Sequence, residues 1–500
     1  MTNLAHYLAE TAKRSPDHPA ISFEGATTTY GGLAEQANRA AKRLTEEGIG
    51  RGDRVALWLP NHPAFASAMY AVWQVGAIVV PVHAALTKPE TRHILTDAGV
   101  KAAFCGQDQI EAGAEELLHE LGIFAFVLPG DAPDGADGSG AVSSDAAGIA
   151  DVTDEDLALI AYTSGTSGLP KGAMLTHKNL RTNIEQMRAS PIAVSPEDVV
   201  LCVLPLFHIF GLNVVLNLSV SVGAKIVLME RFDPKASVEA ISKEAVTVIA
   251  GAPPVYVAWL DSPPESFANV RIAISGAAPL SKDVLEQFRE RFGVTIWEGY
   301  GLTETSPALT FTGIGGVAKP GSIGRPLDGV ELRLIDQDGD DVEDGDPGEI
   351  VVRGPNVFGG YWNNPEHTEQ AFVDGWFRTG DVGVADDDGD LYIVDRRKDL
   401  IIVSGFNVYP REVEEVLRRH PNVGDCAVVG DQDDQTGEQV RAVVVPDPPG
   451  SSLTEEEVIE FCSRSLAPYK LPRTVEIVSA IPRNATGKVV RRKLKQQDAP

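Results

Sequence analysis

The chain runs to 500 residues, more than one hydrophobic core usually serves, so two or more domains are expected. A hydrophobic content of 43% and a charged content of 23% are those of a globular protein. A net charge of −28 argues against the extended basic face that nucleic acid requires.

Cys105, Cys202, Cys426 and Cys462 are scattered, with no CxxC and no Cys/His cluster, and read as buried free thiols in a reducing compartment. The opening MTNLAHYLAETAKR carries acidic and basic residues and no apolar core, unlike a secretory leader, so a cytoplasmic location is expected.

In chain order, residues 5–47 read as a helix, a strand-turn (20–30) and a second helix (30–47). Residues 54–59 read as a strand, 63–75 as a helix and 78–82 as a strand. Helix and strand signals alternate to about residue 330, which implies βα units and parallel sheet. Residues 129–150, rich in Gly, Ala, Asp and Ser, read as a surface loop.

The stretch after that loop organises the chain: Tyr162-Thr-Ser-Gly-Thr-Ser-Gly-Leu-Pro-Lys-Gly172. An apolar run at 157–161 precedes it, and 173–188 shows a broadly helical pattern, so the loop is expected at a strand-to-helix junction. Backbone N–H groups, hydroxyls and the Lys171 cation suit a polyanion, and glycines permit close backbone approach. It is not a Walker A loop, because five residues beyond Gly165 stands Pro170 rather than the second glycine.

Residues 205–224 contain no Asp, Glu, Lys or Arg and are long enough to span a bilayer. Pro205, His208, Asn213 and Asn217 within it, and the absence of flanking anchors, favour a buried helix and strand lining a pocket. No membrane span is expected.

From 330 to about 394 the pattern shifts to short strands with acidic turns, a small β subdomain. A calcium loop at 336–349 fails, since the position needing glycine is Asp341 and the twelfth is Pro347. The charged break Asp395-Arg-Arg-Lys-Asp399 then leads to a small α+β domain. Helices are expected there at 411–420 and 454–465, and strands at 427–429, 439–445 and 474–477.

Three further motifs carry chemistry. Gly299-Tyr-Gly-Leu-Thr-Glu304-Thr305 follows a strand and sets Thr303 and Glu304 at its carboxyl end, where α/β sheets bind ligands. Glu304 is a hard oxygen ligand suited to Mg²⁺, and Tyr300 could stack on adenine. Trp376-Phe-Arg-Thr-Gly-Asp381 offers a carboxylate for ribose hydroxyls, and Arg483-Asn-Ala-Thr-Gly-Lys488 presents a lysine that could offset charge at an α-phosphate. Taken singly, each is as readily a turn or a solvated surface group.

Together and in order, these motifs resemble the adenylate-forming acyl-CoA synthetase superfamily, specifically its fatty-acid– and coumarate-type CoA ligases. The resemblance also covers Pro205-Leu-Phe-His-Ile-Phe-Gly211, Ser275-Gly-Ala-Ala-Pro279 and the stretch DRRKDLIIVSGFNVYPREVE at 395–414. It implies an α/β fold: a large N-terminal domain of βα-layered subdomains with a small β subdomain, hinged to a small α+β C-terminal domain. The expected boundaries are 1–394, a hinge at 395–398 containing Lys398, and 399–500.

The resemblance assigns the triphosphate to Thr163, Ser164, Gly165, Thr166, Ser167, Gly168 and Lys171. It assigns adenine to Gly276, Ala277, Ala278 and Pro279 with Tyr300, and counts Gly299, Gly301 and Ile393 among the ATP-binding residues. Thr303 would meet the α-phosphate, Glu304 the Mg²⁺, and Asp381 and Arg396 the ribose. Lys488 would be the lysine of adenylation, and Ser404, Gly405 and Phe406 would meet coenzyme A.

Phe207, His208, Phe210, Asn213, Val214, Val255, Ser306 and Pro307 are the candidates for the acyl pocket. Without an Arg or Lys at 208–224 or 255–260, the acid is expected to be apolar and monocarboxylic, a fatty acid ahead of an aryl acid. The implied co-substrates are ATP and coenzyme A, with Mg²⁺; a homodimer stays open. Three other readings also stay open: an adenylating enzyme that loads a carrier protein, a luciferase-like oxygenase, and a non-enzymatic nucleotide- or acid-binding protein.

Overall fold

The structure, a computed structural model, describes residues 2–84, 86–111, 113–127, 148–163, 170–396, 399–403, 406–433, 437–448, 452–483 and 489–495. Most of the expected 129–150 loop lies outside them. The chain forms two compact units, Met1–Glu331 with Arg353–Phe377, and Leu332–Val352 with Arg378–Pro500. This division differs from the expected boundary at 394–395. The helix Pro410–Leu417 packs on the strand Leu391–Arg396, and Arg411 Nη1 donates to Ile393 O at 2.6 Å, so that strand groups with the C-terminal part of the chain.

In the larger unit the alternation of helix and strand becomes two mostly parallel sheets. One runs, in spatial order, Phe124–Val127, Val100–Cys105, Arg54–Trp58, Ile78–Pro81 and Leu157–Thr163, all parallel, then the antiparallel Lys171–Thr176. In the other, Pro19–Phe23, Lys225–Leu228, Val199–Cys202, Val248–Gly251, Ile272–Ser275 and Ile296–Gly301 are parallel, and Ala308–Phe311 and Ser322–Pro326 continue antiparallel.

The parallel strands are mostly apolar, as burial on both faces demands; Val248–Gly251 and Ile272–Ser275 are buried at every position. One core cluster sets Trp259 edge-on to Tyr256, Phe232 and Phe267 at 5.7–5.8 Å. The carboxyl ends of these strands are where the candidate site lies.

The phosphate-loop stretch is not at a strand-to-helix junction. Lys171–Thr176 is a strand paired antiparallel with Leu157–Thr163, so the described residues on either side of the loop form a two-stranded hairpin. Gly172 permits the pairing, because a Cβ there would stand 2.6 Å from Ile160 Cγ2. Helix starts only after Thr176, whose Oγ1 accepts from Asn179 N at 3.1 Å while Asn179 Oδ1 accepts from Thr176 N at 2.9 Å. That reciprocal cap fixes His177–Ala189 as the helix.

The uncharged 205–224 segment also departs from expectation. It holds no strand: Phe210–Asn217 winds as a π-helix and Leu218–Val222 as an α-helix, every residue buried. Among the described residues no helix is long and apolar enough to cross a membrane.

The smaller unit contains a five-stranded sheet of Ile401–Val403, Phe406–Val408, Val423–Asp433, Gly437–Pro446 and Thr474–Ile477, covered by the helices Pro410–Leu417 and Glu455–Ser463. Its two long strands form one hairpin and exceed the expected 427–429 and 439–445. All four cysteines are buried and unbridged.

His177 is fully buried at the base of the Lys171–Thr176 hairpin, and its Nδ1 accepts from Leu4 N at 3.3 Å. Burial is the main cause of its pKa falling from 6.5 to about 4, with Asp156 and Asp154 opposing and Arg181 assisting. The unfolded chain therefore takes up a proton below pH 6.5 that the folded chain refuses until pH 4, so stability falls as pH drops through that window. We expect the wild type to lose about 2 kcal/mol more than His177→Gln between pH 7.5 and 5 in urea denaturation.

Candidate functional site

The site grows from the end of the strand Ile296–Gly301. Pairing with Ala308–Phe311 slips by one residue between Tyr300 and Gly301, which bends the chain sharply. Only glycine fits at the bend, because a Cβ on Gly301 would stand 1.8 Å from Pro307 O. Leu302 N donates to that same carbonyl at 3.1 Å, and a tight turn, Thr303–Thr305, comes next.

The turn buries Glu304 to 8% exposure. Phe358 N donates to Glu304 O at 2.8 Å, and the Tyr361 hydroxyl donates to Glu304 Oε1 at 2.8 Å. Glu304 Oε2 accepts no hydrogen bond among the described residues. Burial, then the Glu304 charge and hydrogen bond, push the Tyr361 phenol well above its usual pKa, so it is a donor at neutral pH.

Lys171 opens the adjacent strand, which packs against the 303–305 turn, and its Nζ lies 5.6 Å from the centre of the Tyr361 ring. Desolvation lowers its pKa and Glu304 opposes the shift. A cation and a carboxylate thus share one tyrosine: its ring face for the first, its hydroxyl for the second.

The hairpin base is also clamped. Tyr162 donates to Asp97 Oδ2 at 2.5 Å, the Asp97 carbonyl accepts from Trp362 Nε1 at 2.9 Å, and Trp362 N donates to Gly172 O at 2.8 Å. Thr163 ends the first strand of the hairpin opposite Lys171. Ser164, Gly165, Thr166, Ser167 and Gly168 lie outside the described residues.

Gly276, Ala277, Ala278 and Pro279 follow the strand Ile272–Ser275, and Ala277 takes a positive φ of 69°. Glu298, on the neighbouring strand, accepts from Leu280 N at 3.2 Å and so holds the far end of this turn. The hydroxyls of Ser275 and Ser306 are buried with no hydrogen-bond partner among the described residues. Gly299, Tyr300 and Gly301 stand alongside on the next strand.

The acyl-pocket candidates divide into two kinds. Phe210 packs its ring on Gly276, where a Cβ would meet Cε1 at 3.0 Å, and Val255 packs on Gly251. Phe207 stacks edge-on with His83 at 4.1 Å, and His208 Nδ1 accepts from Phe210 N at 3.3 Å.

Asn213 is buried within the π-helix with Val214, and its Nδ2 donates to Ser306 O at 2.7 Å and Leu180 O at 3.2 Å. Its Oδ1 accepts from Asn217 Nδ2 at 3.0 Å, and Tyr70 donates to Asn217 Oδ1 at 2.9 Å. This amide ladder holds the Ser306-Pro307 turn from behind.

The smaller unit carries the remaining candidates. Asp381 is buried on the strand Trp376–Ala385 directly opposite Arg396 on Leu391–Arg396, with Ile393 on that second strand. The Arg396 and Phe406 side chains, and Lys398, Ser404, Gly405 and Lys488, lie outside the described residues.

Sequence reading missed Tyr361, Asn356 and Asp97. Tyr361 is 57 residues from Glu304, a separation with no periodic signal, and only the Gly-Gly-Tyr-Trp run hinted at a backbone packed close to something.

The profile of the AMP-binding enzyme family matches residues 8–362, and that of the AMP-binding enzyme C-terminal domain matches 412–488. A feruloyl-CoA synthase of Amycolatopsis sp is 36% identical, covering 99% of each chain. A long-chain-fatty-acid–CoA ligase of Yersinia pestis is 35% identical over 99% of this chain and 94% of its own. The ATP-bound MatB of Rhodopseudomonas palustris superposes with a TM-score of 0.90 at 34% identity, covering 99% and 98% of the two chains. The chain therefore belongs to the AMP-binding enzyme family, and it is an acid–thiol ligase of the AMP-forming acyl-CoA synthetase class.

Gly301→Ala tests the turn. The clash with Pro307 O displaces Glu304 by a fraction of an ångström or more, and acid-dependent pyrophosphate release should fall by about 100-fold. Release within a few-fold of wild type would show that the turn tolerates the displacement.

Proposed function

We propose that the chain is an ATP-dependent acyl-CoA synthetase for an apolar monocarboxylic acid, a fatty acid ahead of an aryl acid. The observation that carries this reading is the buried Glu304 carboxylate, one oxygen held by Tyr361 and the other accepting no hydrogen bond among the described residues, beside the Lys171 cation. A buried, half-satisfied carboxylate next to a cation suits a metal-bound polyphosphate and serves no evident structural purpose.

Mg²⁺ held by Glu304 would neutralise charge on the triphosphate oxygens as the α-phosphorus is attacked. In the proposed sequence a carboxylate oxygen of the acid attacks that phosphorus, and the bond to pyrophosphate breaks. Lys171 offsets charge on the departing phosphates and Lys488 on the α-phosphate, while Thr303 meets the same group. Asp381 and Arg396 take the ribose, and the Gly276–Pro279 turn with Tyr300 takes adenine. The thiolate of coenzyme A then attacks the acyl carbon and AMP leaves, with the 404–406 segment serving this second step and Lys398 the rotation between the two.

The apolar preference rests on the all-buried, uncharged Phe210–Val222 stretch and on Phe210 and Val255, which bring hydrocarbon and no cation. A second acid group there would be desolvated without a counter-charge. Relatives named for long-chain fatty acids and for feruloyl groups agree with an extended apolar acid.

A panel of aliphatic and aryl acids with ATP and Mg²⁺, with and without coenzyme A, tests the reading by following pyrophosphate and acyl-CoA together. Matched yields of both from a fatty acid are expected. Pyrophosphate without acyl-CoA would make a carrier protein the acceptor, and neither product would return the chain to a binding role.

A further inference from the structure

One short segment holds the whole Glu304 turn. Asn356 Nδ2 donates to Thr305 O at 3.0 Å and Ala308 O at 2.9 Å, Phe358 N to Glu304 O, and Tyr361 Oη to Glu304 Oε1. Three of these contacts are to backbone and fix where the turn sits. The fourth acts on the carboxylate alone.

We infer that Tyr361 is a positioning residue for the metal, its hydroxyl fixing the rotation of the Glu304 carboxylate so that Oε2 is presented as the ligand. The inference rests on the proposed role of Glu304 in holding Mg²⁺. Physically, the last torsion of a glutamate is broad and roughly two-fold, so an unrestrained carboxylate swings and presents either oxygen. A single hydrogen bond at 2.8 Å to Oε1 removes that freedom before the metal arrives.

Tyr361 is itself held on every side. Its backbone N donates to Thr368 Oγ1 at 2.9 Å, its ring meets Phe358 edge-on at 4.9 Å, and Trp362 ties the next residue to Gly172. The ring that orients the carboxylate also lies under the Lys171 ammonium, so the two charges that would hold a metal-bound polyphosphate share a single mount.

Tyr361→Phe removes the hydroxyl and leaves the ring, its packing and the lysine contact. The probe is Mn²⁺ titrated into the full chain with a non-hydrolysable ATP analogue, read by electron paramagnetic resonance. The Mn²⁺ dissociation constant should rise about tenfold or more in Tyr361→Phe, with the melting temperature and the KM for the acid little changed. Trp362→Phe, which deletes the bond to the Asp97 carbonyl but spares the phenol, should leave Mn²⁺ affinity within about twofold.

Glu304→Gln separates the two readings. If Glu304→Gln weakens Mn²⁺ and Tyr361→Phe does not, the positioning role is overturned while the metal role of Glu304 stands. If Glu304→Gln leaves Mn²⁺ unchanged, the metal role fails and the positioning role with it. Equal weakening by Tyr361→Phe and Trp362→Phe would assign the effect to segment packing and also overturn the inference.

Discussion

A carboxylate taken out of water costs several kcal/mol unless something meets it, and a strand end alone supplies little that can. Glu304 lies at such an end, in a turn too short to provide its own partners. Its carbonyl and one side-chain oxygen are met from a segment more than fifty residues later, by Phe358 N and the Tyr361 hydroxyl. That same segment reaches the phosphate-loop hairpin, where Met174 N donates to Gly360 O and Trp362 N to Gly172 O. The two elements that would handle phosphate are thus tied to one piece of backbone and cannot shift independently.

Behind the turn a different solution operates. The Phe210–Asn217 segment is wound more widely than an α-helix, a geometry usually found where function repays its poorer packing. Buried amides need partners, and here they supply one another in a chain from Tyr70 through Asn217 and Asn213 to the Ser306 carbonyl. Asn183 adds a second grip, its Nδ2 donating to Ala308 O at 2.8 Å. The result is a wall that is polar inside its own thickness and apolar where Phe210 covers Gly276. Such a wall holds the adjacent turn rigid.

Much of this was legible beforehand. Alternating helix and strand signals gave the parallel sheets, because parallel strands are apolar throughout and stand apart from amphipathic helices. Gly172 is expected where backbone nears phosphate and Gly301 in a tight turn; the structure puts an isoleucine methyl against the first and the Pro307 carbonyl oxygen against the second. The hairpin at the phosphate loop was misread as a strand-to-helix junction, since a six-residue strand running into a helix has no sequence boundary stronger than the Thr176 cap. The strand expected within 205–224 failed for a related reason: a short apolar run carries no period that separates strand from buried helix.

By itself the sequence determined the chemistry on offer: Lys171 and Lys488, Glu304 and Asp381, and several glycines, in an order shared with the AMP-binding enzyme family. Residue type and local spacing decide those, because a turn's needs are met within a few residues. Only the tertiary structure decided that Tyr361 mounts both Lys171 and Glu304, that Asn213 faces a backbone carbonyl, and that Asp97 secures the hairpin base. Those partners are separated by tens to hundreds of residues, and hydrogen bonds of about 3 Å are set by how whole strands and helices pack, which no local pattern encodes.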